Sequence, residues 1–176
     1  MTSFNLMILA AGYGKRMNNL TDLTPKPLLK INNKELLKHN IDFFTNLGCE
    51  KIVINTHYLH DKIQRCLEES YSDRKIIISY ESKILNTGGG IKNALSALGK
   101  KNFVVTNSDI LWKEDNKKDV LKFIKNHQDI KTCKLLLAAD NNFKGFKKPV
   151  GDFMYQDGIL KRWKKNDPHL FYTGLQ

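Results

Sequence analysis

Hydrophobic positions along this chain fall into short runs that predict buried strands. The run Phe4–Leu9 is almost continuously apolar and ends in Ala10-Ala11-Gly12, which predicts a strand that opens into a loop. Four further runs of this kind follow, at residues 51–55, 75–80, 103–106 and 134–138.

Between these runs, apolar residues recur every three or four positions, as they do on one face of a helix. Leu37, Ile41 and Phe44 form the first such face, and Gly48 directly after Leu47 predicts its C-terminal cap. Three later segments repeat the spacing: Leu59, Ile63, Cys66 and Leu67; Ile91, Ala94, Leu95 and Leu98; Val120, Leu121 and Ile124.

Strands that alternate with helices predict βαβ units, and we therefore predict an α/β fold with a doubly wound, mostly parallel, Rossmann-like sheet and helices on both faces. Ligands of such sheets bind beyond the carboxyl ends of the strands. The loops expected to line the site begin at Ala10, Asn55, Glu81 and Asn107.

The alternation of strand-like and helical segments ends after residue 141. Beyond it, a Gln156-Asp157-Gly158 turn separates two strand-like runs. This predicts a small antiparallel C-terminal part. Because no repeat or linker composition interrupts the sequence, we predict a single domain over residues 1–176.

Composition narrows the class of protein. A chain of 176 residues with 41% hydrophobic content has enough apolar material for one globular core. No apolar run approaches the roughly 20 residues of a membrane helix, and the amino terminus lacks a secretory pattern, so we expect a cytoplasmic protein without membrane contact. Three scattered cysteines without a C-x-x-C pair predict neither disulfides nor zinc, and of the scattered histidines only His57 and His60 are close enough to share a ligand.

The net charge of +11 attracts anions in general. Lysines are spread along the whole chain, and no recognition motif or interleaved aromatic stripe accompanies them. We therefore expect no nucleic-acid partner. A basic nucleic-acid-binding module is kept as an alternative hypothesis for function.

The loop after the first strand is the segment richest in candidate chemistry. Gly12 and Gly14 allow the backbone to approach a phosphate. A dinucleotide fingerprint would need glycine where Met17 stands, and a P-loop would need Ser or Thr where Arg16 stands. The loop thus predicts an anion site of another kind, to which three side chains add positive charge: Lys15, Arg16 and Lys26.

The pattern Ala10-Ala11-Gly12-x-Gly14-x-Arg16-Met17, followed by Thr24-Pro25-Lys26-Pro27, resembles the signature of the sugar-1-phosphate nucleotidyltransferases. Leu85-Asn86-Thr87-Gly88-Gly89-Gly90-Ile91 and the segment from Val104 to Trp112 extend the likeness. Together these segments most resemble the bacterial N-acetylmuramate-1-phosphate uridylyltransferases, over residues 5–176.

The resemblance implies an Mg²⁺-dependent enzyme that joins UTP to N-acetylmuramate 1-phosphate and releases pyrophosphate, in the recycling of cell-wall precursors. Such a reaction needs no nucleophilic side chain, because the attacking oxygen belongs to the sugar phosphate. Positioning and charge neutralisation suffice.

The resemblance also assigns roles to individual residues. Lys26 and Arg16 are the implied catalytic residues, and Asp109, at the carboxyl end of a predicted strand, is the implied metal ligand. The triple glycine is expected to precede the helix that contains Ile91. The implied nucleotide contacts are Ala11, Gly12, Gly14, Lys15, Arg16, Lys26, Gly88, Gly89 and Asn107, and the implied sugar contacts are Gly151, Asp152, Thr173 and Gly174.

Members of that family continue past the Tyr172-Thr173-Gly174 segment and supply a second carboxylate for Mg²⁺, so we expect this chain to lack the family's C-terminal end. Two alternatives follow from the resemblance. One is a shortened relative that binds a nucleotide without catalysis, and the other is a nucleotidyltransferase for another pair of nucleotide and sugar.

Overall fold

The computed structural model describes residues 3–73, 75–126, 132–139, 151–164 and 169–176. The chain divides into two compact units, Met1–Ile130 and Lys131–Gln176, and the single domain expected from the sequence stays a prediction. The described elements of the first unit are β1 (Phe4–Leu9), β2 (Lys30–Ile31), β3 (Lys34–Glu35), α1 (Leu36–Asn46), β4 (Cys49–Thr56), α2 (His60–Ser70), β5 (Ile76–Tyr80), α3 (Asn86–Leu98), β6 (Phe103–Asn107) and α4 (Lys117–Lys125).

The main sheet of the first unit has the order β5-β4-β1-β6, and every neighbouring pair is parallel. Their carboxyl ends therefore lie along the same edge of the sheet. This arrangement confirms the mostly parallel α/β fold predicted from the alternation of strands and helices.

Helices cover both faces of this sheet. On one face Met7, Val53 and Val105 pack against Ala94 and Leu98 of α3 in a fully buried cluster. Because side chains alternate along a strand, the neighbouring residues of β1 face the other side. Burial of α1 falls on its predicted face, where three residues are fully enclosed: Leu37, Ile41 and Phe44.

The predicted cap of α1 is present, whereas two residues assigned to helical faces lie elsewhere. Gly48 follows α1 with φ 96° and donates its N–H to the Thr45 carbonyl at 3.0 Å, which confirms the cap. Leu59 precedes α2 with φ 49° instead of joining it, and Leu95 is exposed on α3. Spacing alone does not separate these residues from the buried faces.

A short hairpin between β2 and β3 was not expected from the sequence. Asn32 and Asn33 form its turn with φ of 51° and 62°, a conformation that asparagine adopts more readily than most residues. Each strand has only two residues, which is too short for an alternating pattern to reveal.

The second unit contains an antiparallel sheet, as predicted for the C-terminal part. Its described strands are ordered β7-β10-β8-β9, with bounds Leu137–Ala139, Leu170–Tyr172, Phe153–Gln156 and Ile159–Arg162. The run at residues 134–138, expected to continue the βα series, instead gives β7, which pairs antiparallel with β10. An apolar run does not encode the direction of its partner.

Among the residues that the structure describes, no helix combines the length and the apolar content needed to cross a membrane.

Candidate active site

A cavity of about 490 Å³ lies at the carboxyl edge of the parallel sheet. Its wall includes the four positions at which the loops were expected to begin: Ala10, Asn55, Glu81 and Asn107. Of the implied site residues, the structure brings eight together here: Ala11, Gly12, Gly14, Lys15, Arg16, Lys26, Asn107 and Asp109.

The glycine loop after β1 presents its backbone to this cavity. Gly14 has φ 70°, and a Cβ atom there would lie 2.9 Å from Thr21 Cγ2 and 3.3 Å from Lys26 Cβ. A side chain at this position is therefore excluded both by conformation and by space. A Cβ atom on Gly12 would meet nothing within 4 Å, so the room beside its backbone is open.

Positive side chains follow the glycines directly. Lys15 and Arg16 begin a 3-10 segment, Lys15–Thr21, that is kinked at Asn18. Lys15 Nζ lies 5.3 Å from the ring centroid of Tyr13. Arg16 lines the cavity and makes no ion pair within the described part of the chain, so its guanidinium is available to an anion.

Lys26 and Asp109 form an ion pair in the cavity. Pro25 and Pro27, both buried, flank Lys26 and restrict its backbone. The side chains of Lys26 and Asp109 are 25% and 29% exposed, so the pair adds little to stability. The pair places an ammonium group and a carboxylate side by side in the cavity.

Buried neighbours fix the loop that carries Asp109. The Asn40 amide group, on α1, lies 3.3 Å from the Ser108 carbonyl oxygen and 2.9 Å from that of Ile110. The Ser108 N–H donates to the Leu9 carbonyl at 3.1 Å. The backbone on both sides of Asp109 is thus held by α1 and β1.

A buried polar bridge connects three strand ends beside the cavity. The Ala10 N–H donates to Asn55 Oδ1 at 2.8 Å, and Asn55 Nδ2 donates to Glu81 Oε1 at 2.8 Å. The second carboxylate oxygen of Glu81 accepts the Leu85 N–H at 2.9 Å. Sequence reasoning expected these loops at the site but gave Asn55 and Glu81 no role, although each is a polar residue at the end of an apolar strand.

The triple glycine lies inside α3 and not before it, which corrects the expectation from the sequence. The helix begins at Asn86, and the Glu81 carboxylate accepts the N–H of Leu85, the residue directly before it. Asn86 and Thr87 line the cavity, whereas the assignment of Gly88 and Gly89 to the nucleotide stays a prediction.

The implied sugar contacts have partners within the second unit. The Asp152 carboxylate accepts the Tyr172 N–H at 3.1 Å, and the Thr173 hydroxyl donates to the Leu136 carbonyl at 2.8 Å. Gly174 has φ 86°, and a Cβ atom on Gly151 would lie 2.2 Å from His169 Cβ. Their assignment to a sugar stays a prediction.

The cysteines, His57 and His60 were considered as possible metal or disulfide ligands. All three cysteines are free, and burial raises the pKa of the Cys49 thiol to about 12. His57 lies 2.8 Å from the Glu81 carbonyl and 3.0 Å from the Tyr13 hydroxyl, while His60 lies 2.9 Å from the Thr56 hydroxyl. Within the described residues, no cluster of three or more His, Cys, Asp or Glu side chains is placed to hold a metal.

The donor set in the cavity nevertheless fits Mg²⁺ shared with a substrate. Mg²⁺ in proteins is commonly bound by one or two carboxylates together with phosphate oxygens and water. Asp109 supplies one carboxylate on the cavity wall, which also carries the positive side chains of Lys26 and Arg16.

Comparison with known proteins is consistent with this site. The family model described as nucleotidyl transferase matches residues 5–146. N-acetylmuramate alpha-1-phosphate uridylyltransferase of Caulobacter vibrioides is 34% identical over 88% of this chain and 66% of its own length. The Neisseria meningitidis protein of that name is 42% identical over 60% of this chain and 46% of its own.

A guanylyltransferase is also similar. The D-glycero-alpha-D-manno-heptose 1-phosphate guanylyltransferase of Aneurinibacillus thermoaerophilus is 32% identical over 64% of this chain and 49% of its own length. The chain therefore spans between about half and two thirds of the length of these curated relatives.

Solved structures share the fold. HddC from Yersinia pseudotuberculosis matches with a TM-score of 0.73 and 23% identity, over 98% of this chain and 75% of its own. A putative glucose-1-phosphate thymidylyltransferase from Bacillus anthracis matches with a TM-score of 0.76 and 18% identity, over 99% and 70%. The chain belongs to the nucleotidyl transferase family, and its relatives there are sugar-1-phosphate nucleotidyltransferases.

Proposed function

We propose that the protein is an Mg²⁺-dependent sugar-1-phosphate nucleotidyltransferase that joins UTP to N-acetylmuramate 1-phosphate and releases pyrophosphate. The observation that carries this proposal is the convergence of the glycine loop, Arg16, Lys26 and Asp109 on one cavity. The two uridylyltransferase relatives support the choice of substrates. Because N-acetylmuramate is a cell-wall sugar, we place the reaction in the cytoplasmic recycling of cell-wall precursors.

The reaction joins two anions, and the site residues oppose their repulsion. A phosphate oxygen of the sugar phosphate attacks the α-phosphorus, a new P–O bond forms, and the bond to the departing pyrophosphate breaks in line. The forked Arg16 guanidinium suits the outer phosphates. Lys26 stabilises charge at the α-phosphate as the leaving group departs.

The backbone beside the glycines has a separate task. The space next to Gly12 is open, and the left-handed turn at Gly14 directs the loop around it. Backbone N–H groups in such a turn bind phosphate oxygens without a side chain in the way. The amino end of α3, where Asn86 and Thr87 line the cavity, is the corresponding surface for the nucleoside.

Lys26 and Asp109 would exchange partners when substrate binds. The ammonium and the carboxylate now neutralise each other. A triphosphate oxygen competes for Lys26, which leaves the Asp109 carboxylate for a cation. Mg²⁺ bound by Asp109 and phosphate oxygens would supply further neutralisation of charge.

A panel of substrates tests this function. Pyrophosphate release is measured with UTP, GTP, CTP and dTTP, each combined with N-acetylmuramate 1-phosphate, mannose 1-phosphate or glucose 1-phosphate, in Mg²⁺. We expect the fastest release with UTP and N-acetylmuramate 1-phosphate. Faster release with GTP would reassign the substrate pair in the direction of the guanylyltransferase relative, and UTP binding without any release would make the protein a non-catalytic binder.

A further inference from the structure

The bridge formed by Asn55 and Glu81 ends on the backbone of two different loops that line the cavity. Asn55 lies opposite Leu9 in the pairing of β4 with β1, and Glu81 directly follows β5. Through Asn55 the bridge reaches the N–H of Ala10, where the glycine loop begins. Through Glu81 it reaches the N–H of Leu85, where α3 begins.

Glu81 is an unusual residue to find inside a protein without a cation. It is only 2% exposed, and no lysine, arginine or histidine forms an ion pair with it in the described residues. A buried carboxylate is costly unless hydrogen bonds compensate it. Here the compensating donors are the Asn55 amide and the Leu85 N–H, so the carboxylate depends on the loops that it joins.

The surroundings hold Glu81 in this position. Its own N–H donates to the Thr56 carbonyl at 2.8 Å, and its carbonyl accepts His57 Nδ1 at 2.8 Å. A Cβ atom on Gly90 would lie 2.7 Å from Glu81 Oε1 and 2.8 Å from Asn55 Nδ2. The third glycine of α3 therefore makes room for the bridge.

We propose that Asn55 and Glu81 are positioning residues that hold the glycine loop and the amino end of α3 at the spacing one nucleotide needs to touch both. They act through the Ala10 and Leu85 backbones and not on the reacting atoms. That the ligand is a nucleotide rests on the proposed function, whereas the hydrogen bonds of Asn55 and Glu81 can be tested without any ligand.

A swap of donor and acceptor tests the bridge. Asn55→Asp alone places a carboxylate oxygen where the Asn55 amide nitrogen now lies 2.8 Å from Glu81 Oε1, and Glu81→Gln alone turns one of the two acceptors into a donor that faces either the Asn55 NH2 or the Leu85 N–H. The double variant, Asn55→Asp with Glu81→Gln, restores an acceptor for Ala10, a donor between the two side chains and an acceptor for Leu85, at unchanged net charge. Asn93→Asp, at an exposed position of α3, is the matched control for the added charge.

Two readouts are compared across these variants. Hydrogen exchange at the Ala10 and Leu85 amides is measured without ligand, and the Kd for UTP with Mg²⁺ is measured by calorimetry. We expect each single change to accelerate exchange and to weaken UTP binding by about tenfold, the effect of one lost buried hydrogen bond. The double variant should return both to within about threefold of wild type, and Asn93→Asp should change neither.

The outcomes separate this inference from the proposed function. If wild type binds UTP and the double variant is as impaired as the singles, the positioning role is wrong and the proposed function stands. If wild type does not bind UTP, the proposed function fails, and recovery of exchange protection in the double variant alone decides whether the bridge holds the loops. A single variant that does not fold still leaves the double variant to decide.

Discussion

At the scale of single residues, the site depends on charges that are placed by buried polar neighbours. Lys26 is oriented by two buried prolines, and Asp109 lies on a loop fixed by Asn40. The two side chains remain partly exposed, so we expect the fold to tolerate their removal. Function and stability are therefore separable at these positions.

Lys26→Ala and Asp109→Ala should each reduce turnover by at least about a hundredfold, because a preorganised charge is lost where the transition state needs it. The melting temperature should stay within a few degrees of wild type, since water reaches both side chains and an ion pair of that kind contributes about 1 kcal/mol. Steady-state kinetics and thermal unfolding check this, with the surface variant Lys30→Ala as control. Near-normal rates in either site variant would remove that residue from the mechanism.

The three thiols should react at different rates. Burial raises the pKa of Cys49 to about 12 and also raises that of Cys66, whereas Cys133 is exposed. A raised pKa lowers the thiolate fraction at pH 7.5, and the thiolate is the reactive form. Iodoacetamide followed by peptide mass spectrometry should therefore modify Cys133 first and Cys49 last. Equal labelling of Cys49 and Cys133 in the folded protein would contradict the burial.

The motifs that carry the family resemblance contain part of the cavity wall, and the roles that the resemblance assigns to those residues stay predictions. Arg16, Lys26 and Asp109 belong to short motifs, and all three line the cavity. The sequence did not indicate a role for Asn55 or Glu81, because their hydrogen bonds join residues of different elements. Asn55 and Glu81 are 26 positions apart, so the hydrogen bond between them produces no local sequence pattern.

At the scale of elements, the parallel strands and helices were predictable because each has a continuous or periodic apolar pattern. The start of α3 was not. Glycine is a poor helix former, so a triple glycine indicates a turn, yet all three glycines lie within α3. The direction of β7 also depends on its partner and not on its own residues.

Two glycines of α3 should respond oppositely to alanine. Gly90→Ala inserts a methyl group between Asn55 and Glu81, and we expect a loss of about 1–3 kcal/mol in the free energy of unfolding. Gly88→Ala meets no atom within 4 Å and should retain or gain up to about 1 kcal/mol, because alanine favours the helix. Urea unfolding of both variants checks this, and equal stabilities would contradict the packing around the bridge.

At the scale of the whole molecule, the parallel topology explains why distant segments meet. Four parallel strands deliver their loops to one edge, where residues from the first loop to Asp109 line a common cavity. That much followed from the alternation of elements. The second unit carries the residues assigned to the sugar, and each of them already has partners there or a constrained backbone.

UTP should stabilise the protein, and more strongly with Mg²⁺ than with EDTA. Binding at a hundred times Kd contributes about 2.7 kcal/mol, and Asp109 is the implied ligand of the metal. In Asp109→Asn, the difference between Mg²⁺ and EDTA should shrink while UTP alone still raises the melting temperature. An undiminished Mg²⁺ effect in this variant would remove Asp109 as the metal ligand.

The most direct measurement is a crystal structure of the protein with a non-hydrolysable UTP analogue and Mg²⁺. We predict that the triphosphate lies against the backbone of Gly12 and Gly14, with Lys26 moved from Asp109 to a phosphate oxygen. A nucleotide bound elsewhere, with the Lys26–Asp109 pair intact, would contradict the assignment of this cavity as the active site.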